Sequence, residues 1–233
     1  STVSLSRAYL EAIPQYVKEV ALAMLPIIIF FLISWIMLMV RREGTSFLTS
    51  VGLNNLKYYT VLSNILEVIV SLILGIQLIR IYTGKAENVP HILFFLKYTA
   101  TTAVSVTFLV VVTMLWPLTH YPDLFTGSNF WLHVVIPLLA IIEFLFLDKF
   151  GTLRFRETLL VVIPAILYAC GYCLNLAING VGSGKTSNDF YGFLHWGLGI
   201  GFVLFIIILL TFSSVGREDV DLGAMLGTST MDV

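Results

Sequence analysis

Polar residues are so sparse in this chain that they interrupt it rather than pattern it. Apolar runs fill about residues 20–40, 58–81, 92–118, 130–147, 157–179 and 190–214, with only short loops between them. The runs do not alternate and are far too long for barrel strands. A bilayer core is crossed by about 20 apolar helical residues. A lipid-exposed backbone must also satisfy its own hydrogen bonds, which leaves helices as the spanning element. The pattern predicts an all-α fold, a polytopic membrane bundle of six transmembrane helices in one domain covering residues 1–216. The stretch 217–233 mixes Glu218, Asp219, Asp221 and Asp232 with Gly, Ser and Thr, the composition of a solvated, disordered tail. The first run reads as a retained helix and not a cleaved leader, since Glu11 and Glu19 precede it and no small-residue cleavage site follows.

Within the second run the polar residues do have a period. Thr60, Asn64, Glu67 and Ser71 recur at helical spacing and form one stripe, with Ser63 beside it. A carboxylate inside a span is costly, so Glu67 is expected to face the bundle interior, protonated or paired. Ser, Thr and Asn in such a stripe also serve as hydrogen-bonding glue between helices. Lys97 and Glu143 lie nearer the ends of their runs, where snorkelling to the membrane surface is the expected behaviour.

Composition agrees with a lipid-solvated protein. The chain is 58% hydrophobic and 12% charged, with a mean hydropathy of +0.94, against about 25% charged residues in a soluble domain. A multipass integral membrane protein is expected, in the plasma membrane for a bacterial chain. The net charge of −1 gives no basis for a nucleic-acid partner. Arg7, Lys18, Arg80, Lys85, Lys149, Arg154, Arg156 and Arg217 gather on one side of the predicted topology, and Arg41, Arg42, Lys57 and Lys185 on the other. That bias predicts cytoplasmic termini, although Arg41 and Arg42 directly after the first span pull the other way.

Three residues share a depth in this topology. Thr60, His133 and His195 each begin an even-numbered span, within about 5 Å of the non-cytoplasmic boundary at ~1.5 Å per residue. A histidine next to a tryptophan, as in Trp131-Leu132-His133 and His195-Trp196, also suits an interfacial anchor. A threonine hydroxyl becomes a nucleophile when a base takes its proton, and neutral imidazole does this at physiological pH. The chemistry implied is acyl transfer. Asn64, Asn129 and His195 are the candidates to bind the substrate or the developing oxyanion. No aspartate lies at the depth of His133, so no triad is evident, and Asn129 or Asn64 is left to hydrogen-bond the imidazole.

The segment Lys57-Tyr58-Tyr59-Thr60-Val61-Leu62-Ser63-Asn64 heads one helix and Trp131-Leu132-His133-Val134-Val135-Ile136-Pro137 heads another. Together they resemble the androgen-induced-gene family of multipass membrane proteins, with Asp148 to Arg156 similar to its short basic loop after the histidine helix. The resemblance implies a six-span threonine hydrolase of fatty-acid esters of hydroxy fatty acids, with Thr60 as nucleophile and His133 as the family's histidine. It is similar in character to a bacterial-type branch, for which the animal substrate is not assumed.

Other signals point elsewhere. Gly184-Lys185-Thr186 mimics the end of a P-loop, but Asn179 occupies the first glycine's position and no strand precedes it. Cys170 and Cys173 have redox-pair spacing inside a span, without the electropositive, accessible setting that reactive thiols use, and are expected to be small buried hydrophobes. Two thiols alone cannot complete a zinc site. Pro26, Pro137 and Pro164 can kink their spans. Gly197 and Gly201 suit a close helix contact.

The expectation is an integral membrane hydrolase that cleaves lipid esters through Thr60 and His133, with a membrane lipid or amphiphilic ester as substrate and no cofactor or metal. The alternatives are a membrane acyltransferase using the same pair and a proton-coupled small-solute transporter or channel built on Glu67, Lys97 and Glu143. A purely structural or assembly protein is a third.

Overall fold

The computed structural model describes residues 2–40, 52–119, 122–148, 151, 153–183 and 187–191. The described residues form helices and turns, with no strand. Five of the helices are long and apolar enough to cross a membrane, and the chain is a multipass integral membrane protein. The sixth expected span beyond residue 191, the tail, His195, Gly197, Gly201 and Gly184-Lys185-Thr186 lie outside the described residues.

The chain divides into two compact units, Ser1–Gly151 and Thr152–Val233. The first contains four spanning helices. Helix α1 is Thr2–Val40, with its membrane-length portion at Lys18–Met39. A 3-10 turn, Gly52–Lys57, leads into α2, Tyr59–Tyr82. Helix α3, His91–Val110, continues through a π turn, Val111–Leu115, to Trp116–Thr119. Helix α4, Gly127–Phe146, contains a second π turn, Trp131–Val135. The four helices close a ring in the order α1, α2, α3, α4, and α2 also meets α4 across it.

The burial pattern explains the ring. On α1 the buried positions are Val20, Met24, Ile27, Phe31, Ser34 and Leu38, alternating steps of four and three along one face, while Leu22, Leu25, Ile29, Leu32 and Ile36 are exposed. Val20 and Met24 join Val70, Leu74 and Leu78 of α2 and Leu93 and Ala100 of α3 in one apolar cluster. On α2 polar residues share the buried face with Val61, Val68, Val70, Leu74 and Leu78. Thr60, Ser63, Asn64, Glu67 and Ser71 are buried, while Leu62, Ile69, Leu72, Ile73, Ile76 and Ile79 face outward. Lipid solvates leucine and isoleucine as well as a protein core does, so the groups that must be shielded are the polar ones.

Both π turns have one local cause. Ile136 N–H reaches back five residues to the Trp131 carbonyl, and Trp116 N–H does the same to Val111. Each is followed by a proline, Pro137 or Pro117, which has no N–H to continue the ladder. Pro26, by contrast, sits within an uninterrupted α1.

In the second unit, helix α5 covers Phe155–Asn179 with a turn at Val161 and Val162 just ahead of Pro164. Glu157 accepts the Arg154 backbone N–H at 2.7 Å and closes its first turn. After Gly180, at φ +69°, Asn188 folds back to donate to the Gly180 carbonyl at 2.8 Å. Tyr172 donates to Asp189, and its ring meets Phe190 edge-on at 5.0 Å. Cys170 and Cys173 are exposed free thiols, which corrects the expectation that they are buried packing residues. A cysteine exposed on an apolar helix needs no protein cover in lipid.

Candidate functional site

The polar stripe of α2 places two groupings of side chains in the first unit, one near Thr60 and one around Glu67. Thr60 and His133 are both buried, at 8% and 3% exposure. Asn64 ties their two helices together. Its Nδ2 donates to the Thr60 carbonyl one turn back at 2.7 Å and across to the Leu132 carbonyl of α4 at 3.0 Å. The second acceptor is available for a reason written in the sequence. Ile136 N–H is committed to Trp131, and Pro137 has no N–H, so the helix has no donor left for Leu132. The turn before Thr60 is fixed by Asn55, which is buried and donates to the Gly52 carbonyl at 2.9 Å.

His133 lies in the π turn, a distortion that often re-aims a side chain at functional positions. Its Nδ1 is 3.4 Å from the Leu124 carbonyl. A carbonyl only accepts, so this long contact calls for a proton on Nδ1 and leaves Nε2 with the lone pair in the neutral ring. Leu124 itself is buried against Val111 and Leu115 of the other π turn. Trp131 stacks on Phe30 of α1 at 4.7 Å, which anchors the same turn on its other side. The orienting acceptor is thus a backbone carbonyl, which the sequence offered no way to foresee.

Among the described residues no hydrogen bond joins the Thr60 and His133 side chains; the link between their turns runs through Asn64. Because both Asn64 acceptors are backbone carbonyls, its Nδ2 has no further N–H for an oxyanion. Its Oδ1 is buried without a donor. Asn129 and Ser128 are buried beside the π turn.

Deeper in the bundle is an ionic cluster. Glu67 lies seven residues beyond Thr60, ~10 Å along the helix. Lys97 of α3 pairs with Glu67 at 2.5 Å and with Glu143 of α4 at 2.6 Å, and all three are buried. Ser71 donates to Glu67 Oε1 at 3.0 Å and accepts from Lys97 at 2.9 Å, and Thr101 reaches Glu67 Oε2 at 3.4 Å. Between the two groupings Ser63 and Thr107 share a hydrogen bond of 3.0 Å. Glu67 therefore faces inward and is paired, as expected. Lys97 and Glu143 do not snorkel: the inward face of α2 offers Lys97 a carboxylate and a hydroxyl, and that partnership is a property of three helices together.

Asp148, directly after α4, belongs to the same cluster and was not anticipated. It is 5% exposed, and neither carboxylate oxygen has a hydrogen-bond donor among the described residues. Burial, and next the Glu143 carboxyl beside it, hold its pKa well above the ordinary carboxylate value, against the pull of Lys97. Among the described residues no group of three or more His, Cys, Asp or Glu is placed to hold a metal ion.

No protein-family model, curated protein or solved structure matches this chain.

Proposed function

We propose that this chain is an integral membrane hydrolase that cleaves lipid esters, with Thr60 as nucleophile and His133 as base. The observation that carries the reading is the Asn64 bridge, which holds the Thr60 turn of α2 against the His133 turn of α4 inside a water-poor bundle. Thr60 Oγ1 attacks the ester carbonyl carbon as His133 Nε2 takes its proton. The imidazolium then gives that proton to the leaving alcohol, and water releases the acyl group from Thr60 by the same steps in reverse. Threonine and histidine must come into hydrogen-bond reach for this, a closure that in many enzymes accompanies substrate binding. The Asn64 Oδ1, an acceptor in need of a donor, suits the hydroxyl of the alcohol or the attacking water. Asn129 and His195 remain the candidates for stabilising the oxyanion. An alcohol acting in place of water would make the same pair an acyltransferase.

The reading also places a sixth span at about 190–214, both termini in the cytoplasm and the Thr60 end of the bundle on the opposite side, following the distribution of Lys and Arg. The resemblance to the androgen-induced-gene family supports the roles of Thr60 and His133.

A second reading is favoured by the buried cluster at Lys97, which lines the bundle interior with ionisable groups as in proton-coupled small-solute transporters. One experiment separates the two. The purified protein in detergent is treated with a fluorophosphonate probe and digested for mass spectrometry. A covalent adduct on Thr60 is expected; protein that stays unlabelled there but carries solute flux in vesicles would overturn the hydrolase.

A further inference from the structure

The ester chemistry at Thr60 makes no use of the ionic cluster. His133 and Glu143 are ten residues apart on α4, ~15 Å along the helix. The cluster contains three carboxyl groups, Glu67, Glu143 and Asp148, around one ammonium, Lys97. Donors are distributed unequally among them. Glu67 receives Lys97, Ser71 and Thr101. Glu143 has the ion-pair contact with Lys97 at 2.6 Å and no hydrogen-bond donor of its own among the described residues. Asp148 receives no donor among the described residues, although it is nine-tenths buried; its backbone N–H reaches the Glu143 carbonyl at 3.3 Å, and the Glu143 carboxyl acts on it more strongly than any other charge. Two neighbouring carboxylates in a dry site are two sets of acceptors that lack a donor to share. Like charges at such a site do not both ionise.

We propose that Glu143 and Asp148 hold one exchangeable proton between them, making the Asp148 end of the bundle a proton-binding site with Lys97 as its fixed counter-charge. The bond made and broken is a single carboxyl O–H. On release the proton passes to water, and both carboxylates remain with Lys97 between them and Glu67. Asp148 follows the apolar length of α4, so the exchange opens toward that end of the membrane and not toward Thr60. The proposed ligand is a proton: among the described residues the acidic groups do not converge as a three-ligand set for a metal ion. The site stands whether or not Thr60 proves to be a nucleophile.

Infrared spectroscopy of the full chain in lipid nanodiscs tests this by reading the C=O stretching band of a protonated carboxylic acid, identified by its shift in D2O. The band is expected at neutral pH in the unmodified protein, to disappear on titration to alkaline pH, and to be lost in both Glu143→Gln and Asp148→Asn. Either change removes one titratable carboxyl, keeps the pair's single negative charge and supplies an amide N–H where the shared proton stood. Glu87→Gln, at an exposed position, should leave the band in place. Absence of the band from the unmodified protein at neutral pH overturns the proposal without any variant. So does its survival in both variants, which would put the proton elsewhere. A band seen in choline buffer but missing in sodium buffer would make the occupant a sodium ion.

Discussion

Asn64 of α2 donates to the Leu132 carbonyl of α4 at 3.0 Å, supplying the hydrogen bond that Pro137 denies to its own helix. The bond therefore couples two sequence features 73 positions apart, an amide on one span and a proline on another. Removing the amide strands a buried carbonyl, which costs about 1–3 kcal/mol. Asn64→Ala should lower the thermal midpoint in detergent accordingly. Pro137→Ala restores a backbone N–H near Leu132, so Asn64→Ala should cost less in that background than in the unmodified chain. Strict additivity of the two changes would show that the carbonyl does not depend on Asn64.

The catalytic pair predicts a different kind of non-additivity. Thr60→Ala removes the nucleophile and His133→Ala the base, so each should abolish ester hydrolysis in a folded protein. Because the two act as a unit, the double variant should be little worse than either single. His195→Gln, which keeps a hydrogen-bonding side chain, should retain much of the activity that His133→Gln loses. Turnover by the Thr60→Ala protein at the unmodified rate would end the proposed function.

What could be read from the sequence divides along physical lines. The stripe from Thr60 to Ser71 was legible because helical periodicity alone puts those residues on one face, and their cost in lipid turns that face inward. The partner of Glu67 was not legible, because Lys97 reaches it from another helix and single-sequence spacing says nothing about which faces meet. Position near a span end made snorkelling the better expectation for Lys97 and Glu143. The cysteines were misread through a rule from soluble proteins, in which small apolar side chains go inside; on α5 the outside is apolar too. Pro137 was visible as a source of distortion, whereas the π turn that places His133 follows from how the ladder closes around it.

The ionic cluster predicts an asymmetric response to charge removal. Lys97→Met leaves Glu67 and Glu143 buried without their ammonium, a loss of about 3–5 kcal/mol for a broken buried pair. Combining it with Glu67→Gln removes one of the stranded charges, so the double variant should unfold at a higher temperature than Lys97→Met alone. A double variant no more stable than the single would mean that Glu67 carries no uncompensated charge once Lys97 is gone.

Topology can be checked at exposed positions on opposite ends of the first unit. Thr126 precedes α4 at the Thr60 end, and Lys85 lies in the turn between α2 and α3. In a background lacking Cys170 and Cys173, Thr126→Cys should react with a membrane-impermeant thiol reagent from outside intact cells, and Lys85→Cys only after lysis. The reverse pattern would invert the proposed orientation and move the Thr60 end to the cytoplasm, leaving the shared depth of Thr60 and His133 untouched. Labelling of both from outside would remove α3, the helix between them, from the set of spanning helices.

The raised pKa of Asp148 fixes the sign of a pH effect on stability. Its carboxyl is buried and faces Glu143 from α4, Lys97 from α3 and Glu67 from α2, with burial and Glu143 outweighing the lysine. The folded chain therefore binds this proton more tightly than the unfolded chain, where an aspartate titrates near ~3.9. The stabilisation is fully present below that unfolded value and is lost as pH rises through the elevated folded value. The thermal midpoint in detergent should consequently fall as pH climbs above the ordinary carboxylate range. Asp148→Asn, which cannot ionise, should show a flatter dependence over the same window and exceed the unmodified protein's midpoint at its alkaline end. A midpoint that rises with pH in the unmodified protein, or an Asn variant with an unchanged slope, would mean that Asp148 is ionised in the folded chain and that its carboxylate finds a donor.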